Sequence, residues 1–143
     1  MAEQTYETHR RWHPIYHFVA FPIIAINFLV AVWFAWKIQR PITLWAAVDA
    51  LAIVVLAYVV REYATKTQDR IIRLEEAVRL GRVLPEELRG RVGDLTGRQL
   101  IALRFCPDDE LPDMTRAILD GELKGSEQIK RKIQKWRADH HRV

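Results

Sequence analysis

Three histidines, His9, His13 and His17, recur at intervals of four residues, a spacing that would stack imidazoles on one helical face as metal or haem ligands. Pro14 breaks that face. Proline fits best in the first turn of a helix, where its missing N–H costs nothing. The helix is therefore expected to begin near Trp12 or His13, with His9 ahead of it and only His13 and His17 one turn apart. Further along, Asn27 and Asp49 are the two most polar side chains within long apolar runs, where a carboxyl must be paired or face protein. Asp108, Asp109, Glu110 and Asp113 cluster, but without the Gly and Asn/Asp pattern of an EF-hand loop, so helix capping is the expected role. No nucleophile–base pair, phosphate-binding glycine loop or paired carboxylates at a plausible site is present. The expectation is a protein that is not an enzyme and that needs no metal or other cofactor.

The elements that position these residues are set by an uneven chain. Of 22 Lys and Arg, 18 lie at or beyond Arg61, together with 15 of 18 Asp and Glu. Ile15–Trp36 carries no charge, and Ile42–Val60 carries only Asp49. A bilayer core needs roughly 20 apolar residues of helix, so both runs read as transmembrane spans. The intervening "KIQRP" allows only a tight connection, with Pro41 opening the second helix. Trp12 and Tyr16 stand at one end of the first span, while Trp33, Trp36 and Trp45 crowd the other, as interfacial aromatic belts do. The bulky "VWFAWK" lacks a small-residue cleavage site, so the first span is expected to stay attached.

Antiparallel pairing about residue 39 aligns positions whose numbers sum to roughly 78. Asn27 then meets Asp49 at similar depth as an intramembrane polar contact. Ala31 and Ala35 on one helix, and Ala46, Ala50 and Ala57 on the other, are expected to let the backbones approach. Pro22 should bend the first span by freeing the carbonyl of Phe18. An interfacial anchor of Trp12, His13, Tyr16, His17, Arg61 and Glu62 follows from the same pairing, with Glu62 accepting a hydrogen bond from His17. Basic residues favour both termini in the cytoplasm: Arg10, Arg11, Arg61, Lys66, Arg70, Arg73 and Arg79 outnumber Lys37 and Arg40 of the loop.

The second helix has no signal to stop at the membrane. Glu62/Lys66, Asp69/Arg73 and Glu75/Arg79 are in the favourable acid-before-base order, and Ile71, Leu74 and Val78 form a short apolar stripe. The expectation is all-α: a two-helix transmembrane hairpin over 15–60 behind an N-terminal segment 1–14, a cytoplasmic stalk over 61–80 ending at Gly81, and a small helical domain over 81–143. In that domain Pro85 opens one short helix. Thr96 and Gln99 form a capping box for another, with Leu95 and Leu100 as its hydrophobic staple. Ser126 is expected to cap a basic amphipathic helix. Its face of Ile129, Lys130, Lys132, Ile133, Trp136 and Arg137 would meet its own domain, a partner or anionic lipid. Cys106 is alone, so no intrachain disulfide or Cys-rich zinc site can form, and a reducing compartment fits.

"YETHRRWHPIYHFVAFPIIAIN", "RIIRLEE", "LTGRQLIALRF", "ELPDMTRAILDGEL" and "IKRKIQKWRADHHRV" together resemble an uncharacterised family of small bacterial two-span membrane proteins. That resemblance covers almost the whole chain and implies the bacterial inner membrane, with no activity to carry over. "LTGRQLIALRF" also resembles the opening of a response-regulator DNA-binding domain. The acidic, proline-bearing "CPDDELPD" that follows leaves no recognition helix after a short turn, so nucleic acid is not an expected partner. The expected function is a structural or accessory subunit beside a larger integral-membrane complex, such as a respiratory or photosynthetic one. The alternative is a self-associating scaffold or signalling adaptor, with homo-oligomers through the stalk.

Overall fold

The computed structural model describes Tyr6 and residues 13–139, and among these every regular element is helical. A π-helical turn at Ile15–Ala20 leads into α1, Phe21–Ile38. The bend expected at Pro22 is taken up as this π turn. Pro22 cannot donate, and its ring would clash with a carbonyl four residues back. The preceding backbone widens instead, so that the Phe21 N–H bonds the Tyr16 carbonyl five residues away.

Gln39 terminates α1 in the left-handed region, at φ 50°, and its N–H bonds the Ala35 carbonyl at 3.1 Å. Arg40 follows, with its N–H on Thr43 Oγ1 at 3.2 Å and its carbonyl accepting from the same hydroxyl at 2.8 Å. Helix α2 then runs from Pro41 to Val83 without interruption. It passes through Gly81, where a stop was expected. Leu80 and Leu84 are both fully buried on either side of that glycine. Burying such a side chain contributes about 1.5–3 kcal/mol, which outweighs the roughly 1 kcal/mol cost of a helical glycine.

The chain divides into two compact units, residues 12–66 and residues 67–143, with Tyr6 joining the second. In the first unit the less exposed stripe runs through Ala20 of the π turn and Ile24, Phe28, Ala31 and Ala35 of α1, and on α2 through Thr43, Ala47, Ala50, Val54 and Ala57. Ala50 and Ala35 are its most buried residues. Almost everything else on both helices is exposed. These are two helices long and apolar enough to cross a membrane.

The second unit holds a core built on Leu80, Leu84, Leu88, Leu95, Leu103, Leu111, Met114, Ile118 and Ile129. Short helices supply it: α3 (Glu86–Arg89), a 3-10 turn (Val92–Asp94), α4 (Gly97–Leu103), α5 (Leu111–Leu119) and α6 (Ser126–Lys132). Arg89 Nε donates to the Leu84 carbonyl at 2.6 Å, satisfying an acceptor just past the end of α2. The capping box of α4 is complete: Thr96 Oγ1 accepts from the Gln99 N–H and Gln99 Oε1 accepts from the Thr96 N–H. Helix α5 ends on Gly121 at φ 82°, a position that favours glycine, so the Glu122 N–H can reach the Ala117 carbonyl.

The expected C-terminal helix is much shorter than its periodicity implied. It stops at Lys132, Ile133 is extended, and residues 133–139 lie as a strap. Its cap position is Gly125, one residue before Ser126, with Gln128 Oε1 accepting from the N–H groups of Lys124 and Gly125.

Candidate functional site

In the first unit, Tyr16 sits where the π turn begins. Its N–H donates to His13 Nδ1 at 3.3 Å, and its ring lies edge-on to His17 with centroids 5.1 Å apart. His17 Nδ1 lies 3.0 Å from the His13 carbonyl, an arrangement in which the ring N–H donates. Both imidazoles therefore join the start of the helix. Arg61, on α2, places its guanidinium 5.4 Å from the centre of the Tyr16 ring, a cation–π contact that ties the two ends together. Glu62 pairs with Lys66 at 2.6 Å, the bond that holds the Lys66 ammonium above its ordinary range. Trp12 and His9 lie outside the described residues.

Asn27 and Asp49 are both exposed, and neither side chain makes a hydrogen bond to any described residue. The inward stripes pass one residue later on each helix, at Phe28 and Ala50. Of the small residues expected to face the neighbouring helix, Ala31, Ala35, Ala50 and Ala57 do lie on the less exposed stripes, while Ala46 is exposed and Ala47 takes its place. Pairing by number could not fix which face these residues occupy.

In the second unit the chemistry-bearing residues converge where the C-terminal strap crosses the end of α4. Trp136 stacks on Phe105 with centroids 4.5 Å apart and 21° between planes, and the Arg104 guanidinium lies 4.3 Å from the same Phe105 ring. Tyr6 meets Trp136 edge-on at 6.5 Å, donates its hydroxyl to Glu127 at 2.7 Å and accepts from Arg131 Nε at 3.2 Å. Of the four acids expected to cap helices, Asp113 lies in the first turn of α5 and pairs with Arg116, whereas Asp109 and Glu110 hold the strap. The Glu110 carboxylate accepts from the Gln134 and Lys135 N–H groups at 3.0 and 2.9 Å, and Asp109 takes Lys135 Nζ at 2.7 Å. The Arg137 N–H donates to the Phe105 carbonyl at 2.8 Å.

Beneath the strap, Glu76 is 4% exposed. Arg79 reaches it at 2.9 Å and Arg137 at 3.4 Å, yet burial outweighs both guanidinium groups and pushes the carboxyl above its ordinary value. Arg79 also donates to Asp108 and to the Cys106 carbonyl, both at 2.6 Å. The i,i+4 partner expected for Arg79 was Glu75; the structure pairs it with Glu76, one residue closer. Asp69 bonds Arg73 through its backbone carbonyl at 3.0 Å.

These contacts relocate the residues expected to form a surface on the last helix. Ile129 is fully buried in the core and offers no surface. Lys130 pairs with Glu127 at 3.2 Å and Lys132 with Glu122 at 3.7 Å. Ile133, Trp136 and Arg137 belong to the strap, not to a helical face. The sequence pointed to none of Glu76, Phe105 or Tyr6, and offered Glu110 only as a cap, because each has a partner more than twenty residues away. Among the described residues no three His, Cys, Asp or Glu side chains are gathered as metal ligands.

No curated protein and no solved structure matches the chain. A family of unknown function, DUF6526, matches it over residues 1–143, and the chain belongs to that family.

Proposed function

We propose that this protein is a non-catalytic accessory subunit of a larger integral-membrane complex, anchored in the bacterial inner membrane by a two-helix hairpin. The observation that carries this reading is the exposure of apolar side chains around both helices of the first unit. Leu29, Trp36, Ile42 and Trp45 are each 65–70% exposed. Soluble monomers rarely leave such a contiguous apolar surface in water, whereas lipid and partner helices cover it. The contact of Tyr6 with Glu127 supports the topology. One residue precedes the first apolar helix and the other follows the second, and segments that touch lie on the same side of a bilayer. Basic residues near the spans favour the cytoplasmic side for both ends. Past the spans, the continuation of α2 serves as a stalk that carries the helical domain to the host's cytoplasmic face. The charged groups of that domain are largely paired with one another, which fits a rigid adaptor better than a reaction centre.

A second reading is favoured by Ile71, Leu74 and Val78, which are 50–68% exposed on α2. Such a stripe could pair stalks into a self-associating scaffold or adaptor, though it spans only about one heptad. Native mass spectrometry after gentle detergent extraction separates the readings. The accessory role predicts a particle containing other membrane subunits; recovery only as copies of this chain would overturn it.

A further inference from the structure

Asn27 and Asp49 are each one residue ahead of the inward stripe of their helix, between Ile24 and Phe28 on α1 and between Ala47 and Ala50 on α2. One residue is about 100° of helical rotation. Because Arg61 meets Tyr16 and only Gln39 and Arg40 join the helices, α1 and α2 run antiparallel. For antiparallel helices, the same backward offset turns both residues toward the same flank of the pair. That flank carries Ile23, Asn27 and Val30 from α1, and Ala46, Asp49 and Ile53 from α2, all exposed. The opposite flank, with Leu29 and Val32 of α1 and Val48 and Leu51 of α2, is apolar at this level, Tyr58 standing more than one turn farther along α2. One side of the hairpin therefore suits lipid, and the other holds a carboxyl and an amide, level by count from the connection, whose side chains bond nothing among the described residues.

We infer that a second copy of this chain covers the Asn27–Asp49 flank. This rests on the membrane hairpin proposed above and concerns how the subunit associates with itself. A two-fold axis along the membrane normal preserves depth, so a residue can meet only residues at its own level in the other copy. Applied to this flank, the axis sets α1 of one copy against α2 of the other. Each Asn27 then faces the partner copy's Asp49, twice in the assembly. The amide N–H donates, the carboxyl accepts, and two polar groups that are unsatisfied in one copy are satisfied in two. Val30 meets Ala46 one turn away, where the small side chain admits the larger. The product is a four-helix bundle in which every neighbouring pair is antiparallel.

Single-cysteine variants in a Cys106→Ser background test this in vesicles containing the full chain. On oxidation with iodine, Val30→Cys mixed with Ala46→Cys is expected to form a disulfide dimer that neither forms alone. Leu29→Cys mixed with Leu51→Cys, on the other flank, is expected not to. Asp49→Leu should weaken association by about tenfold, as loss of two interhelical hydrogen bonds predicts, while Asp49→Asn retains it. Carbonate extraction of the same vesicles reports insertion. An inserted chain that fails to cross-link at the first pair, that cross-links at the second, or that associates equally well with Asp49→Leu overturns the dimer alone. A chain released by carbonate overturns the hairpin reading and the dimer with it.

Discussion

Burial holds the Glu76 carboxyl above its ordinary value of 4.5, although Arg79 and Arg137 pull the other way. Because the raised pKa belongs to the folded state, ionising Glu76 works against folding. Its stabilising contribution is fully present below the unfolded pKa and is lost as pH rises through the folded one. Asp109 has the opposite sign. Lys135 lowers its pKa, so its contribution is present above the unfolded value and lost as pH falls. Comparison with Glu76→Gln isolates the first effect. Cys106 supplies the readout, since it is the only cysteine, is fully buried, and has its thiol pushed up to about 12 by that burial. It should react with a dipyridyl disulfide only when the second unit opens. In urea titrations normalised to the unfolded chain, the stability of the natural chain relative to Glu76→Gln should fall as pH rises from acid to neutral. A difference that stays flat or grows contradicts the assignment of Glu76 as a charge confined by burial.

At the scale of elements, the connection between α1 and α2 depends on one unusual backbone conformation. Gln39 stands at φ 50°, which costs a residue with a Cβ about 1–2 kcal/mol relative to the right-handed region and costs glycine almost nothing. Gln39→Gly should raise the thermal stability of the detergent-solubilised protein by up to about 1 kcal/mol. Gln39→Val should lower it, and a glycine variant that melts earlier would contradict this account of the turn. The sequence made this connection legible through its brevity and Pro41, and made α4 legible through the Thr96–Gln99 pattern. Both signals lie within a few residues. The end of α6 was not legible in the same way. Ile129, Ile133 and Trp136 keep helical spacing, and no glycine or proline interrupts them. Glu110 captures the N–H groups of Gln134 and Lys135, and Phe105 captures that of Arg137, so the helix loses the donors it would need to continue. The π turn was only half legible: Pro22 announced a disturbance, but not whether the backbone would bend or widen.

At the scale of the whole molecule, the facing direction of a helical residue was not readable from the sequence. Counting outward from the connection puts Asn27 and Asp49 at one level, but a one-residue offset around each helix decides whether they meet each other or look outward. Composition likewise separated the apolar first unit from the charged second. It could not show that Tyr6, ahead of the two apolar helices, bonds Glu127 after them. The central claim is that two helices cross a bilayer and leave both ends on one side. Impermeant-maleimide labelling of cells expressing single-cysteine variants in the Cys106→Ser background measures this directly. Gln39→Cys, in the connection, should be labelled on intact cells, and Lys124→Cys, in the second unit, only after lysis. Labelling of both before lysis, or of both only after it, would contradict the account.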